Sequence, residues 1–320
     1  ELHGGQIRAY SEGRGTGARF VVTLPVQLAP VDTAPSARFG EMRALKVVVA
    51  DDNVDSGPIR VGAMLFTLVD PTPGFEAAYN RWYERDHFYG GVMVGPGTLA
   101  GKRWVATRIL KDLRFPVTPA GPSPVAEPLD AGSYLATYFI DAASVAEHFA
   151  WASEEVHKLY AADRGFDERR HAHTVLYTMR RAHHRDADPI PAHLALDHPY
   201  AGLASIHLDR AKGVSTKDLD AWLAGDGRSA LLGEGSPVDQ VLSWRPIIPD
   251  REGPMDLGSG PGGQERSLLT CFLDRPADAA WSHLINFSDA LESAGIGRVV
   301  LAAPFTPAIT GTDTYADQLW

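Results

Sequence analysis

The stretch Asn80-Arg81-Trp82-Tyr83-Glu84-Arg85-Asp86-His87-Phe88-Tyr89-Gly90-Gly91 carries the densest chemistry in the chain. A 3.6-residue period predicts one helix over residues 75–88. Phe75, Tyr79, Trp82 and Asp86 lie along one side of it, and Glu76, Asn80, Tyr83 and His87 along another. Gly90 and Gly91 are expected to end the helix, leaving His87 beside a turn where its side chain can face a cavity.

The pattern on both sides of this helix is regular. Residues 60–70 form an apolar run rich in Val, Leu and Phe, closed by Pro71, and read as a buried strand. Residues 99–109, 133–140 and 171–180 read as further strands and 142–161 as a second helix. The segment 115–128 carries five prolines and reads as a surface loop. After a linker over 185–199 the order returns. Strands are expected at 203–209, 238–248, 267–273 and 298–303, and helices at 215–232 and 276–294. Ser215 is the expected N-cap of the first of these helices, with Asp218 three residues on. The expected fold class is α+β. Two ferredoxin-like β-α-β-β-α-β repeats, residues 60–184 and 185–320, would bury their bare sheet faces against one another as an α+β barrel within one chain.

Residues 60–320 resemble the EthD-like members of the dimeric α+β barrel superfamily. The resemblance rests on Tyr79-Asn80-Arg81-Trp82-Tyr83-Glu84-Arg85-Asp86-His87, a Trp-Tyr pair preceding a histidine near a helix end. It departs from the family in having Phe88-Tyr89-Gly90-Gly91 where Pro-Gly is usual. The resemblance implies a small-molecule site. Such families include ring-cleavage and isomerase enzymes, polyketide cyclases, cofactor-free monooxygenases, haem-dependent enzymes and proteins with no assigned activity, so fold alone does not fix a reaction.

Tyr83 and His87 stand four apart and share a helical face. A histidine titrating near neutrality could act as base while the tyrosine hydroxyl holds a developing enolate or phenolate. Asn80 lies on the same stripe and could orient the imidazole. The competing reading makes His87 a cap of helix-end carbonyls or a partner of Asp86. Arg103 and Trp104 point to opposite faces of their strand. One of them lines the interior, and Arg103 either meets a substrate carboxylate or pairs with Glu84 or Asp86. His171 and His173 alternate and are expected to share a face, with His157 on the preceding helix and Tyr177 further along. That spacing suits Zn²⁺ or Fe²⁺, but packed histidines are commoner, so neither a metal nor another cofactor is expected. Trp82, Asp86, Asn80, Arg103, Trp104, His173 and Tyr177 make up the expected substrate-binding set. His183-His184 reads as solvated linker and Cys271 as core. The helix of the second half, Lys217-Asp218-Leu219-Asp220-Ala221-Trp222-Leu223, keeps an aromatic but no histidine.

Residues 1–57 follow another pattern. Residues 6–11 and 19–24 flank a glycine-rich turn and predict a β-hairpin appendage, which resembles the last hairpin of sensor histidine kinase ATP-binding domains. Leu45-Lys46-Val47-Val48-Val49-Ala50-Asp51-Asp52 resembles the first strand of a receiver domain, in which Asp51 and Asp52 would help to hold Mg²⁺. The phosphoacceptor helix and nucleotide boxes of a kinase are missing, so this part is expected to be a remnant, with a hybrid-kinase fragment as the rival. The chain begins at Glu1 rather than Met, which suggests a fragment boundary. A net charge of −10 without a basic run argues against nucleic acid. One cysteine fits a reducing, cytoplasmic setting, and no apolar run reaches the ~18 residues of a membrane span. The expected partner is a small apolar or aromatic ligand, with homodimerisation allowed. A non-catalytic binding or structural barrel is the alternative to an enzyme.

Overall fold

Two short segments near the N-terminus pair antiparallel, β1 (Gln6–Tyr10) with β2 (Arg19–Thr23), Gln6 facing Thr23 and Tyr10 facing Arg19. The computed structural model describes residues 6–10, 19–23, 57–117, 124–248 and 257–320, and the chain divides into two units, Glu1–Ala44 and Leu45–Trp320. The receiver-like run with Asp51 and Asp52 lies outside the described residues.

The second unit is a closed barrel of antiparallel strands with helices outside it. The strands are β3 (Val61–Pro71), β4 (Thr98–Val105), β5 (Tyr134–Asp141), β6 (Arg169–His184), β7 (Gly202–Arg210), β8 (Val238–Pro246), β9 (Arg266–Leu273) and β10 (Gly297–Pro307). Around the ring they run β10-β4-β5-β3-β6-β8-β9-β7. In sequence terms both sets of four follow the order second, third, first, fourth. The two seams between the sets differ. β6 pairs β3 through Thr178 and then continues against β8 from Tyr177 to His184. β10 meets β4 only at Thr306–Val105 and Pro307–Trp104. The expected linker pair His183-His184 is therefore strand, and His183 is buried opposite Val241.

The lumen is occupied by side chains. Trp104 on β4 donates its indole N–H to Thr137 Oγ1 on β5 at 3.1 Å, and Trp244 on β8 donates to Thr270 Oγ1 on β9 at 2.9 Å. Trp104 packs on Phe272 at 6.4 Å and Trp244 on Phe139 at 5.5 Å. These contacts join strands that are not neighbours, so they cross the ring. Burying each such side chain stabilises the fold by roughly 1.5–3 kcal/mol, and each indole N–H keeps a partner, as a dry interior demands.

The helices are α1 (Glu76–Trp82), α2 (Arg108–Asp112), α3 (Val145–Ala161), α4 (Thr216–Ala224), α5 (Arg228–Leu232) and α6 (Ala277–Ser293). Several boundaries differ from expectation. The strand expected to reach residue 109 stops at Val105, because Arg108 and Asp112 close a helical turn with an i,i+4 ion pair. The helix expected over 215–232 breaks at Gly225, which caps α4. Its start is a capping box. Ser215 Oγ accepts from the Asp218 N–H at 3.2 Å, and Asp218 Oδ2 accepts from the Ser215 N–H at 2.7 Å. Among the described residues no helix is long and apolar enough to cross a membrane.

Candidate active site

The first helix does not end at its glycines. α1 runs on through π-helical turns at Tyr83–His87 and Tyr89–Met93, in which Phe88 N–H reaches Tyr83 C=O and Val94 N–H reaches Tyr89 C=O. Gly90 and Gly91 serve close approach instead of termination. A Cβ on Gly91 would sit 3.0 Å from His87 Cε1 and 3.1 Å from Nδ1, and one on Gly90 would sit 2.8 Å from Arg164 Nη2. Wide π turns cost stability and gather at functional sites.

Under these turns lies an aromatic layer on the outer face of β4 and β5. Tyr83 and Tyr138, both buried, place their hydroxyl oxygens 2.9 Å apart. Tyr79, Trp82, Phe88, Tyr134 and Phe166 surround them. Burial raises both phenols above their ordinary range, so each keeps its proton at physiological pH. His87 stacks on Trp82 with ring centroids 4.5 Å apart and meets the Tyr83 ring edge-on at 5.2 Å. Burial, with help from the charges of Arg169 and His171, pushes its imidazole down to about 3. The expected near-neutral base is thus a neutral imidazole.

Asn80 does not orient that ring. Its amide donates to Thr312 C=O at 2.8 Å and its oxygen accepts from Arg103 Nη1 at 2.7 Å. Asp86 pairs with Arg164, not with His87. Arg103 points outward, held between the Tyr83 and Tyr134 rings at 4.8 and 5.0 Å, and pairs with Glu84 at 2.9 Å. Trp104 takes the opposite face and fills the lumen. The C-terminal segment fastens this layer from outside. Gly311 N–H donates to Glu84 Oε2 at 2.8 Å, Arg81 pairs with Asp313, and Leu319 is fully buried among the aromatics.

His171 and His173 do not share a face. A β-bulge inserts Ala172, so His173 sits opposite Leu68 and His171 opposite Val69. His173 points into the lumen, its Nε2 2.8 Å from Tyr177 Oη. His171 turns outward to Thr174 Oγ1 at 2.7 Å. His157 lies exposed on α3, bonded to Ser153 C=O. The three metal candidates are separated, and among the described residues no group of three or more His, Cys, Asp or Glu is placed to hold a metal. Sequence reasoning passed over His207 on β7, whose ring meets His173 at 5.2 Å. The available signal was a polar pair, Ser205 and His207, at period two inside the otherwise apolar run of residues 202–208.

No protein-family model matches the chain, and no curated protein is found similar to it. Among solved structures it is similar to a mutant chlorite dismutase from Candidatus Nitrospira defluvii, at 8% identity over 81% of this chain and 96% of that one, TM-score 0.44. It is also similar to a dye-decolorizing peroxidase from Bacteroides thetaiotaomicron (7% identity, 82% and 96% covered, TM-score 0.43). A third is an anthrone oxidase-like protein (9% identity, 80% and 98% covered, TM-score 0.41). Likenesses of this order fix neither a family nor a chemistry for this chain. The histidine-kinase resemblance of the N-terminal residues finds no support in these comparisons.

Proposed function

We propose that the chain is a small-molecule-binding α+β barrel protein whose site is the aromatic layer under the π-helical turns. In this reading it is a cofactor-independent cyclase, isomerase or monooxygenase acting on an aromatic or polyketide-like substrate. Supporting it is the buried Tyr83–Tyr138 hydroxyl pair, 2.9 Å apart beside a neutral imidazole. One phenol donates to the other across that contact, and the remaining O–H, in a desolvated layer, can donate to an oxygen on which charge develops, where such donors are worth most. Neutral His87 can receive a proton only once a bound substrate changes its surroundings. Arg103, anchored by Asn80 and Glu84, supplies a fixed positive charge behind Tyr83. The two sets of four strands, residues 60–184 and 185–320, are proposed as ferredoxin-like repeats, with residues 1–57 as an appendage. Cytoplasmic location and homodimerisation belong to the same proposal.

A second reading, a structural or purely binding barrel, draws on the lumen filled by Trp104, Trp244, Phe139 and Phe272. Hydroxynaphthalene binding, followed by the part of the tryptophan quenching that is lost in Trp82→Phe, together with product analysis by mass spectrometry, separates the two. Tyr83→Phe is expected to lower turnover by about 10²-fold with binding largely kept. Binding without turnover in the parent protein would leave the second reading standing.

A further inference from the structure

β7 carries a polar stripe on its lumen face. His207 is 0% exposed and Ser205 1%. Neither imidazole nitrogen of His207 nor the Ser205 hydroxyl has a hydrogen-bond partner among the described residues. Standing two apart on one strand, the residues share a face. That face is the lumen, because the His207 ring meets Phe66 at 5.4 Å, His173 at 5.2 Å and Tyr177 at 6.4 Å, all on strands that do not neighbour β7. Buried polar atoms of this kind are costly to leave bare, and native interiors supply them with partners.

The groups opposite define what such a partner must be. Ser259 Oγ donates its one proton to Val125 C=O, so it accepts from His173 Nδ1, which stands 2.8 Å away. The His173 proton therefore sits on Nδ1, Nε2 accepts from the Tyr177 hydroxyl, and the Tyr177 oxygen keeps its lone pairs as acceptors. Burial keeps His207 neutral, with one N–H to give and one nitrogen to receive. Donors and acceptors thus alternate around this end of the lumen. Among the described residues the full charge acting on His207 is the Arg266 guanidinium, held by Asp209 at 2.6 Å. A charged guest would lose its hydration with no counter-charge free to meet it.

We propose that this end of the barrel is a binding site for a neutral hydroxyl group, that of water or of a small alcohol, held by His207 and Ser205 against Tyr177. The site is separate from the Tyr83–His87 layer, which lies on the other face of the sheet and can fail without affecting it.

Long-range ¹H–¹⁵N spectra of the intact ¹⁵N-histidine-labelled chain read the His207 nitrogens directly, and ¹⁷O relaxation dispersion counts long-lived internal water. Both His207 nitrogens are expected at hydrogen-bonded shifts, with slow water present in the parent and lost in His207→Phe. Ethanol titration separates the sources. Displacement of slow water with movement of the His207 signals marks a site open to alcohols, and slow water unmoved by ethanol marks a water site. A parent protein with a His207 nitrogen at the unbonded shift and no slow water sensitive to residue 207 overturns the proposal. Should His207→Phe fail to fold, the parent spectra and the loss of slow water in Ser205→Ala decide the matter.

Discussion

A single methyl group at residue 91 is expected to disturb the candidate site. Gly91→Ala places a Cβ about 3 Å from the His87 ring, so the imidazole or the π turn must give by a few tenths of an ångström, which offsets the roughly 1 kcal/mol that Ala ordinarily gains over Gly in a helix. Urea unfolding, with native emission compared in the parent and Trp82→Phe backgrounds, checks both effects, and the full helical gain with unchanged emission would remove Gly91 from the account. Three histidines, His173 and His183 buried and His87 half-buried, set a pH dependence. Burial depresses His87 and His173 to about 3 and His183 to about 4. The native state leaves them neutral, whereas the unfolded chain takes up protons below about 6.5. Stability is complete above that value and is lost as pH falls from there toward 3–4, by up to about 1.4 kcal/mol per unit for each histidine. Equal urea midpoints at pH 7 and pH 5 would count against this burial. At this scale the sequence placed Tyr83 and His87 on one helical face but could not show that Asn80 belongs to Arg103. Nor could it place His171 and His173 on opposite faces, since strand period carries no sign of the extra residue at Ala172.

Helix α4 offers an element-scale test. Ser215→Ala removes one half of the capping box and is expected to cost about 1 kcal/mol, read by thermal or urea unfolding; a change below about 0.3 kcal/mol would mean that the cap is idle. This start was legible from Ser215 and Asp218 because capping is local chemistry. The end at Gly225 was missed, since the apolar period continues past it into α5. The first helix shows the reverse error. Gly90 and Gly91 read as a stop because glycine weakens helices, yet here they make room for His87 and Arg164, a tertiary reason that no local window contains.

For the whole molecule, the strand pattern was enough to give two like sets and a barrel, because runs such as those of β3 and β9 are apolar on both faces and need covering twice. Which strands close the ring was not legible, since seam partners lie far apart in sequence. The unequal seams predict unequal protection. Amides of Thr306 and Val105, at the β10–β4 seam, should exchange with deuterium well before those of Ala182 and Val241 at the β6–β8 seam. Exchange at equal rates would show that the side-chain core, and not the ladder, holds the ring shut. The sixteen residues of β6 have one more consequence. The same strand borders the His87 layer through His171, presents His173 to the lumen and ends against β8. A strain applied at one end travels along a beam instead of dissipating in a hinge, so the two sets of strands are mechanically one body, and a chain pulled from both ends should lose them in a single rip.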